Sequence, residues 1–140
     1  MSLNEAQDKI IEDFSKFTSW EEKYKHLIKL GRELQQFPEE FRLDDNKVSG
    51  CQSQVWLFSK IDNKKVIYFA DSDAMIVKGL IALLMKIYSN QTPDEILETQ
   101  PEFFTRIGLD RHLSMNRANG LAAMVKQIKM YALAFKSLQN

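Results

Sequence analysis

The one cysteine of this chain lies in polar surroundings. Cys51 falls in VSGCQSQVWLF, residues 48–58, with Ser49 and Gly50 before it and Gln52, Ser53 and Gln54 after it. Free thiols most often pack in apolar interiors. A polar run between two apolar segments instead puts the sulfur at the tip of a turn, and Gly50 lets the backbone reverse sharply there. Such a turn either presents the thiol or folds it back. With no metal partners and no evident base, a tip thiol suits covalent transfer of a small group.

Arg117 and Gly120, in NRANG, are the next residues with chemical potential. Both fall in the first turns of the last predicted helix. An arginine there opposes the helix dipole, and a glycine costs about 1 kcal/mol relative to alanine. The two local costs together point to a use, with the guanidinium aimed at an anion or thiolate and the glycine permitting close approach. A solvated arginine beside a tight helix crossing is the structural alternative. His112, in GLDRHLS, would make a Cys–His pair with Cys51 as nucleophile. No third group to orient it can be identified, and a polar connection in which His112 faces water accounts for it better. Two histidines far apart and one cysteine give no zinc or cluster spacing. None of the five glycines makes a phosphate-binding turn before a helix.

The elements that must position these residues are legible from periodicity. Ala6, Ile10, Phe14 and Phe17, with Ile11, mark a first helix. Ser19 then caps a second, with Glu22 completing a capping box and Trp20, Tyr24, Leu27, Ile28 and Leu34 as its buried stripe. Pro38 ends that region. QVWLFSKI and KVIYFAD read as strands, joined through IDNKK in a hairpin. Apolar residues alternate on both faces, so helices cover one face and a loop or partner the other. FRLDDNKV reads as a short edge strand, which places Cys51 in a connection at one end of the sheet. DSDAMIVKGLIALLMKIYSN is a central buried helix, with Asp71, Ser72 or Asp73 as its cap. Thr92, Pro93 and Glu95 open a short helix, PEFFTRIG is another that stops at Gly108, and a long helix follows Ser114 with Leu121, Met124, Val125, Ile128, Tyr131, Phe135 and Leu138 as its stripe. Two helices, a small antiparallel sheet and a run of helices make an α+β fold.

Composition bounds the rest. A chain of 140 residues without low-complexity runs or linkers reads as one domain over residues 1–140. Nineteen basic and nineteen acidic residues leave no net field to attract nucleic acid or an anionic membrane. A lone thiol makes no internal disulfide, which fits a reducing, cytoplasmic setting. MSLNEAQDKIIEDF carries early acidic residues and is no signal peptide. The most apolar run, AMIVKGLIALLM, is interrupted by Lys78 and falls short of the roughly 20 residues a membrane span requires.

Three stretches, VSGCQSQVW, DSDAMIVKGL and RANGL, resemble the SufE family of sulfur acceptors, and the similarity runs from WEEKY at residue 20 to the C-terminus. The resemblance implies an α+β domain shaped like the IscU scaffold, with its cysteine on a loop at one end. It also implies a partner, a PLP-dependent cysteine desulfurase of the SufS or CsdA type, that holds sulfur from L-cysteine as a persulfide. Cys51 would accept that sulfane sulfur, the chain would stimulate the desulfurase, and the sulfur would pass to an iron–sulfur scaffold complex. The PLP belongs to the partner, so this chain is expected to bind no cofactor and to have no independent turnover. Cys51 is the residue expected to carry the chemistry, with Gly50, Gln52, Asp73 and Arg117 in support. A thiol of ordinary pKa is only a few per cent thiolate at neutral pH, and Arg117 is the candidate positive group to raise that fraction. One cysteine separates an acceptor from an IscU-type scaffold, which needs several ligands. A folded-back loop would find apolar cover in Val48, Val55 and Trp56, with Gly50 as hinge. Asp71 and Asp73 would accept hydrogen bonds from loop amides while capping the central helix. The alternative is a non-catalytic interaction module that regulates a cluster-assembly complex and in which Cys51 is dispensable. A stand-alone cysteine hydrolase or thiol transferase would need a positioned base.

Overall fold

The computed structural model describes residues 1–139. Helix α1 spans Leu3–Ser15 and α2 spans Trp20–Arg32. Ser2 and Glu5 form a full capping box on α1. On α2 the expected box is half made. The Ser19 hydroxyl accepts from the Glu22 amide at 3.2 Å, but the Glu22 carboxylate takes the Thr18 and Ser19 hydroxyls instead of the Ser19 amide.

Strands β1 (Val55–Asp62) and β2 (Lys65–Ser72) pair antiparallel from Val55↔Ser72 to Asp62↔Lys65. The connecting residues Asn63 and Lys64 both have positive φ, 50° and 66°, the twist that matches a two-residue hairpin. One face of the hairpin, with Leu57, Val66, Tyr68 and Ala70, is buried in the core. The Tyr68 hydroxyl crosses that core to donate to the Ile128 carbonyl at 2.7 Å. The other face is covered by a loop, as the alternation requires: Phe41 stacks on Phe58 with ring centroids 3.7 Å apart.

That covering loop is not the expected edge strand. Glu39–Phe41 and Asp44–Asn46 are single 3₁₀ turns, and only Lys47 bridges to Trp56, with the Val48 amide donating to the Val55 carbonyl at 2.9 Å. The Asp44–Asp45–Asn46 run favours turns because its side chains compete for nearby backbone groups; Asn46 donates to the Phe41 carbonyl at 2.8 Å.

Helix α3 (Met75–Tyr88) is buried on most sides. None of the three expected caps, Asp71, Ser72 or Asp73, takes the N-cap position, and the Ser72 hydroxyl instead accepts from the Ala74 amide at 3.2 Å. The cap position is Ala74, with no side-chain bond, because the acidic side chains serve other partners. Asp71 pairs with Arg42 and Lys78, and Asp73 accepts from the Gln54 amide. Helix α2 packs across α3 through two glycines. A Cβ on Gly31 would stand 2.9 Å from the Gly79 amide nitrogen, and one on Gly79 would collide with the Leu27 carbonyl.

Helices α4 (Pro93–Glu98), α5 (Phe103–Arg106) and α6 (Leu109–His112) follow. Thr92 caps α4 as expected. The α6 turn falls in the stretch read as a polar connection, and fully buried Leu109 anchors it. The long helix α7 spans Met115–Gln139. Leu121, Met124, Ile128 and Ala132 are its buried face, whereas Leu138 is 81% exposed, so the apolar stripe outruns the core at its C-terminal end.

The glycine crossing gives a stability test. Gly79→Ala raises helix propensity by about 1 kcal/mol, yet the forced shift against backbone is expected to outweigh that gain and leave a net loss of roughly 1–3 kcal/mol in urea unfolding. Stability equal to wild type would mean that α2 and α3 can separate freely.

Candidate functional site around Cys51

Cys51 sits in the turn between the Lys47–Val48 bridge and β1. Gly50 has φ +91°, a conformation side-chain-bearing residues avoid, so the turn depends on it. The second limb of the turn is latched reciprocally. The Gln54 amide donates to Asp73 Oδ1 at 3.0 Å, and the Asp73 amide donates to the Gln54 carbonyl at 3.3 Å. Asp73 therefore meets the loop as expected, but as a latch and not as a helix cap.

The sulfur points inward. Cys51 is half-buried, and its Sγ donates to the Gly120 carbonyl at 3.6 Å. Gly120 is buried against it, and a Cβ there would stand 3.5 Å from Sγ. A methyl just fits, while any larger side chain would contest the space of the sulfur. Gly120 thus lies against the thiol, although an alanine would sit there in ordinary contact. Arg117, three residues earlier on α7, comes to the same place.

Beside the sulfur lies a cavity of about 330 Å³. Val55, Val77, Leu80 and Met124 form its apolar wall. Gln52, Ser53, Ser114, Asn116 and Arg117 line the polar side. Of the residues expected to shelter the thiol, Val55 does so. Val48 is buried but does not line the cavity, and Trp56 turns to the opposite hairpin face beneath Arg42. Burial pushes the Cys51 thiol above its ordinary value, because the thiolate would lose hydration.

The Arg117 guanidinium is exposed and donates to the Tyr24 hydroxyl at 3.1 Å. It makes no ion pair among the described residues, and Arg117 is one of the residues lining the cavity. The Arg117 amide donates to Ser114 Oγ, which caps α7. His112 is not part of this site. Its ring is exposed and lies flat on Trp20, centroids 4.3 Å apart. Among the described residues no three His, Cys, Asp or Glu side chains converge as metal ligands.

Sequence reasoning missed the cluster on Arg42. Its guanidinium bonds both Glu39 oxygens at 2.9 and 2.8 Å and Asp71 at 2.9 Å, and lies over the rings of Trp56 and Phe37. These partners span residues 37–71, and no local pattern announces them. Tyr24, the support of Arg117, is likewise set by long-range packing.

The comparisons with known proteins fall on this geometry. Residues 8–132 match the family described as SufE, an Fe–S metabolism associated domain. The match begins within α1, earlier than the motif-bearing stretch from Trp20. An uncharacterised SufE-like protein of Rhizobium meliloti is 41% identical over 130 residues, covering 89% of this chain and 93% of that one. The solution structure of a hypothetical protein from Thermus thermophilus superposes with a TM-score of 0.78 at 21% identity, covering 96% of this chain and 97% of that one. That likeness shows the α+β fold. No helix among the described residues is long and apolar enough to cross a membrane. With a family match that takes in the Cys51 turn, the Asp73 latch and the Arg117–Gly120 turn alike, the chain belongs to the SufE family, a domain of iron–sulfur metabolism.

Proposed function

We propose that Cys51 accepts sulfane sulfur from the persulfide of a PLP-dependent cysteine desulfurase of the SufS or CsdA type. The chain stimulates that desulfurase and hands the sulfur to an iron–sulfur scaffold complex. The observation that carries this reading is a lone thiol on a glycine turn beside a cavity lined by Arg117, which makes no ion pair among the described residues. The Cys51 thiolate attacks the outer sulfur of the donor persulfide, the donor S–S bond breaks, and the donor cysteine leaves as a thiolate. Sulfur moves without net oxidation, and no second cysteine is present to discharge it as an internal disulfide. The guanidinium of Arg117 stabilises the thiolate before attack and the persulfide anion after it.

Sγ faces inward, so the turn opens for a partner to reach it. Gly50 is the hinge and the Gln54–Asp73 latch the restraint. The raised thiol pKa keeps the resting sulfur protonated and slow to oxidise. The buried neutral thiol stabilises the closed state below the pKa of an unfolded cysteine, and this contribution is lost as pH rises through the higher folded value.

After reaction with desulfurase and L-cysteine, intact mass should rise by sulfur atoms removable with thiol, and Cys51→Ser should show no gain. Reducible sulfur on the serine variant would reject Cys51 as carrier. A serine variant that stimulates the desulfurase fully would favour a regulatory module. Arg117→Ala should slow acceptance by about tenfold while leaving the fold intact; an unchanged rate returns Arg117 to a solvated role. Alkylation of Cys51 by iodoacetamide in the free protein should be slower than for an unstructured cysteine peptide at the same pH, with its pH profile displaced upward. Asp73→Arg, which breaks the latch, should speed it. Wild-type alkylation as fast as the peptide would mean that the closed turn offers no protection.

A further inference from the structure

Residues 37–47 cover the outer face of the hairpin, yet they contain little to hold themselves in place. Two single turns are their only regular structure, and Phe37 is their only buried residue. Arg42 fastens them. Its side chain is 26% exposed and that of its partner Asp71 is 17% exposed, so the pair is shielded more than a surface bridge. Both carboxylates hold the guanidinium well above the usual arginine range.

Trp56 and Asp71, the two residues Arg42 reaches across the hairpin, face each other as a pair in the ladder. Each supports one limb of the Cys51 turn. Trp56 receives the first limb through its bridge to Lys47, next to the Val48–Val55 hydrogen bond. Asp71 lies two residues before Asp73, which latches the second limb at Gln54. Lys78 and the Ser72 amide also hold Asp71, and fix the start of α3 to the same point.

We infer that Arg42 is a positioning residue for Cys51: by joining the Trp56 indole to the Asp71 carboxylate it sets how readily the turn opens. Arginine is needed because one planar group must lie on an aromatic face while bonding two carboxylates at its edge. Lysine keeps the charge and loses that combination. A partner that binds only the open turn binds more weakly by the fraction of time the turn is open. Loosening Arg42 therefore raises apparent affinity for the desulfurase and leaves the rate within the complex alone. This last consequence rests on the sulfur-acceptor reading; the positioning role does not.

The test compares wild type, Arg42→Lys and Ile96→Val. Ile96 is fully buried in α4, and its truncation lowers global stability by about 1 kcal/mol. In the free proteins, iodoacetamide alkylation of Cys51 is followed by intact mass. Arg42→Lys should react on the order of tenfold faster, and Ile96→Val at the wild-type rate despite its lower melting temperature. With desulfurase and L-cysteine, Arg42→Lys should reach half-maximal stimulation at a lower concentration with an unchanged maximum. Alkylation of Arg42→Lys at the wild-type rate, or equal acceleration by Ile96→Val, would reduce Arg42 to a general stabiliser. Faster alkylation with no sulfur gained by wild-type Cys51 would leave the positioning role standing and overturn the sulfur-acceptor reading.

Discussion

Two strands alone do not hold together in water. The hairpin at the centre of this fold is stable only because both of its faces are covered, by α3 and α7 on one side and by residues 37–47 on the other. The cover on each side is tied by specific bonds as well as by apolar contact. Tyr68 reaches the Ile128 carbonyl through the core, and Tyr131 reaches the Leu57 carbonyl. On the outer face the ties are the Phe41–Phe58 stack and the Arg42 cluster. The Cys51 turn is the junction where the outer cover passes into β1, so whatever holds the cover also holds the sulfur.

The polar side chains of the site act by holding backbone, not by replacing it. Asp73 bonds an amide of the turn, Ser114 an amide of α7, and the sulfur itself a helix carbonyl. Such bonds, at or near the surface, are modest individually. The turn is consequently ordered without a regular ladder around it. Its opening breaks a few named hydrogen bonds.

Much of this was legible in the sequence. The hairpin, the central helix, the caps at Ser19 and Thr92 and the start of the last helix after Ser114 follow from local patterns, because each depends on residues within one or two turns. Cys51, Gly50 and the Arg117–Gly120 pair were visible as local oddities, polar residues around a thiol and an arginine and a glycine where a helix tolerates them poorly, whereas only the resemblance brought Asp73 near the thiol. What was not legible is pairing across long separations. Asp71 and Asp73 looked like helix caps because capping is the local use of an acidic residue; Arg42 and Gln54 outcompeted it from 29 and 19 residues away in the chain. FRLDDNKV, residues 41–48, resembled a strand by composition and became turns, with only Lys47 bridging to Trp56 and the Asn46 side chain donating to the Phe41 carbonyl. His112 does not line the Cys51 cavity, and its stack on Trp20 left no trace in the spacing.

The hydrogen bond from Cys51 to the Gly120 carbonyl distinguishes chemical states of the sulfur. A carbonyl oxygen accepts and never donates, so it favours a sulfur that carries a proton. A thiol satisfies it. A thiolate has no proton to give, and it would set a negative sulfur against the negative end of a fixed dipole. The backbone of α7 therefore ties down the sulfur only in its neutral form, and loss of that proton loosens the bond between turn and helix.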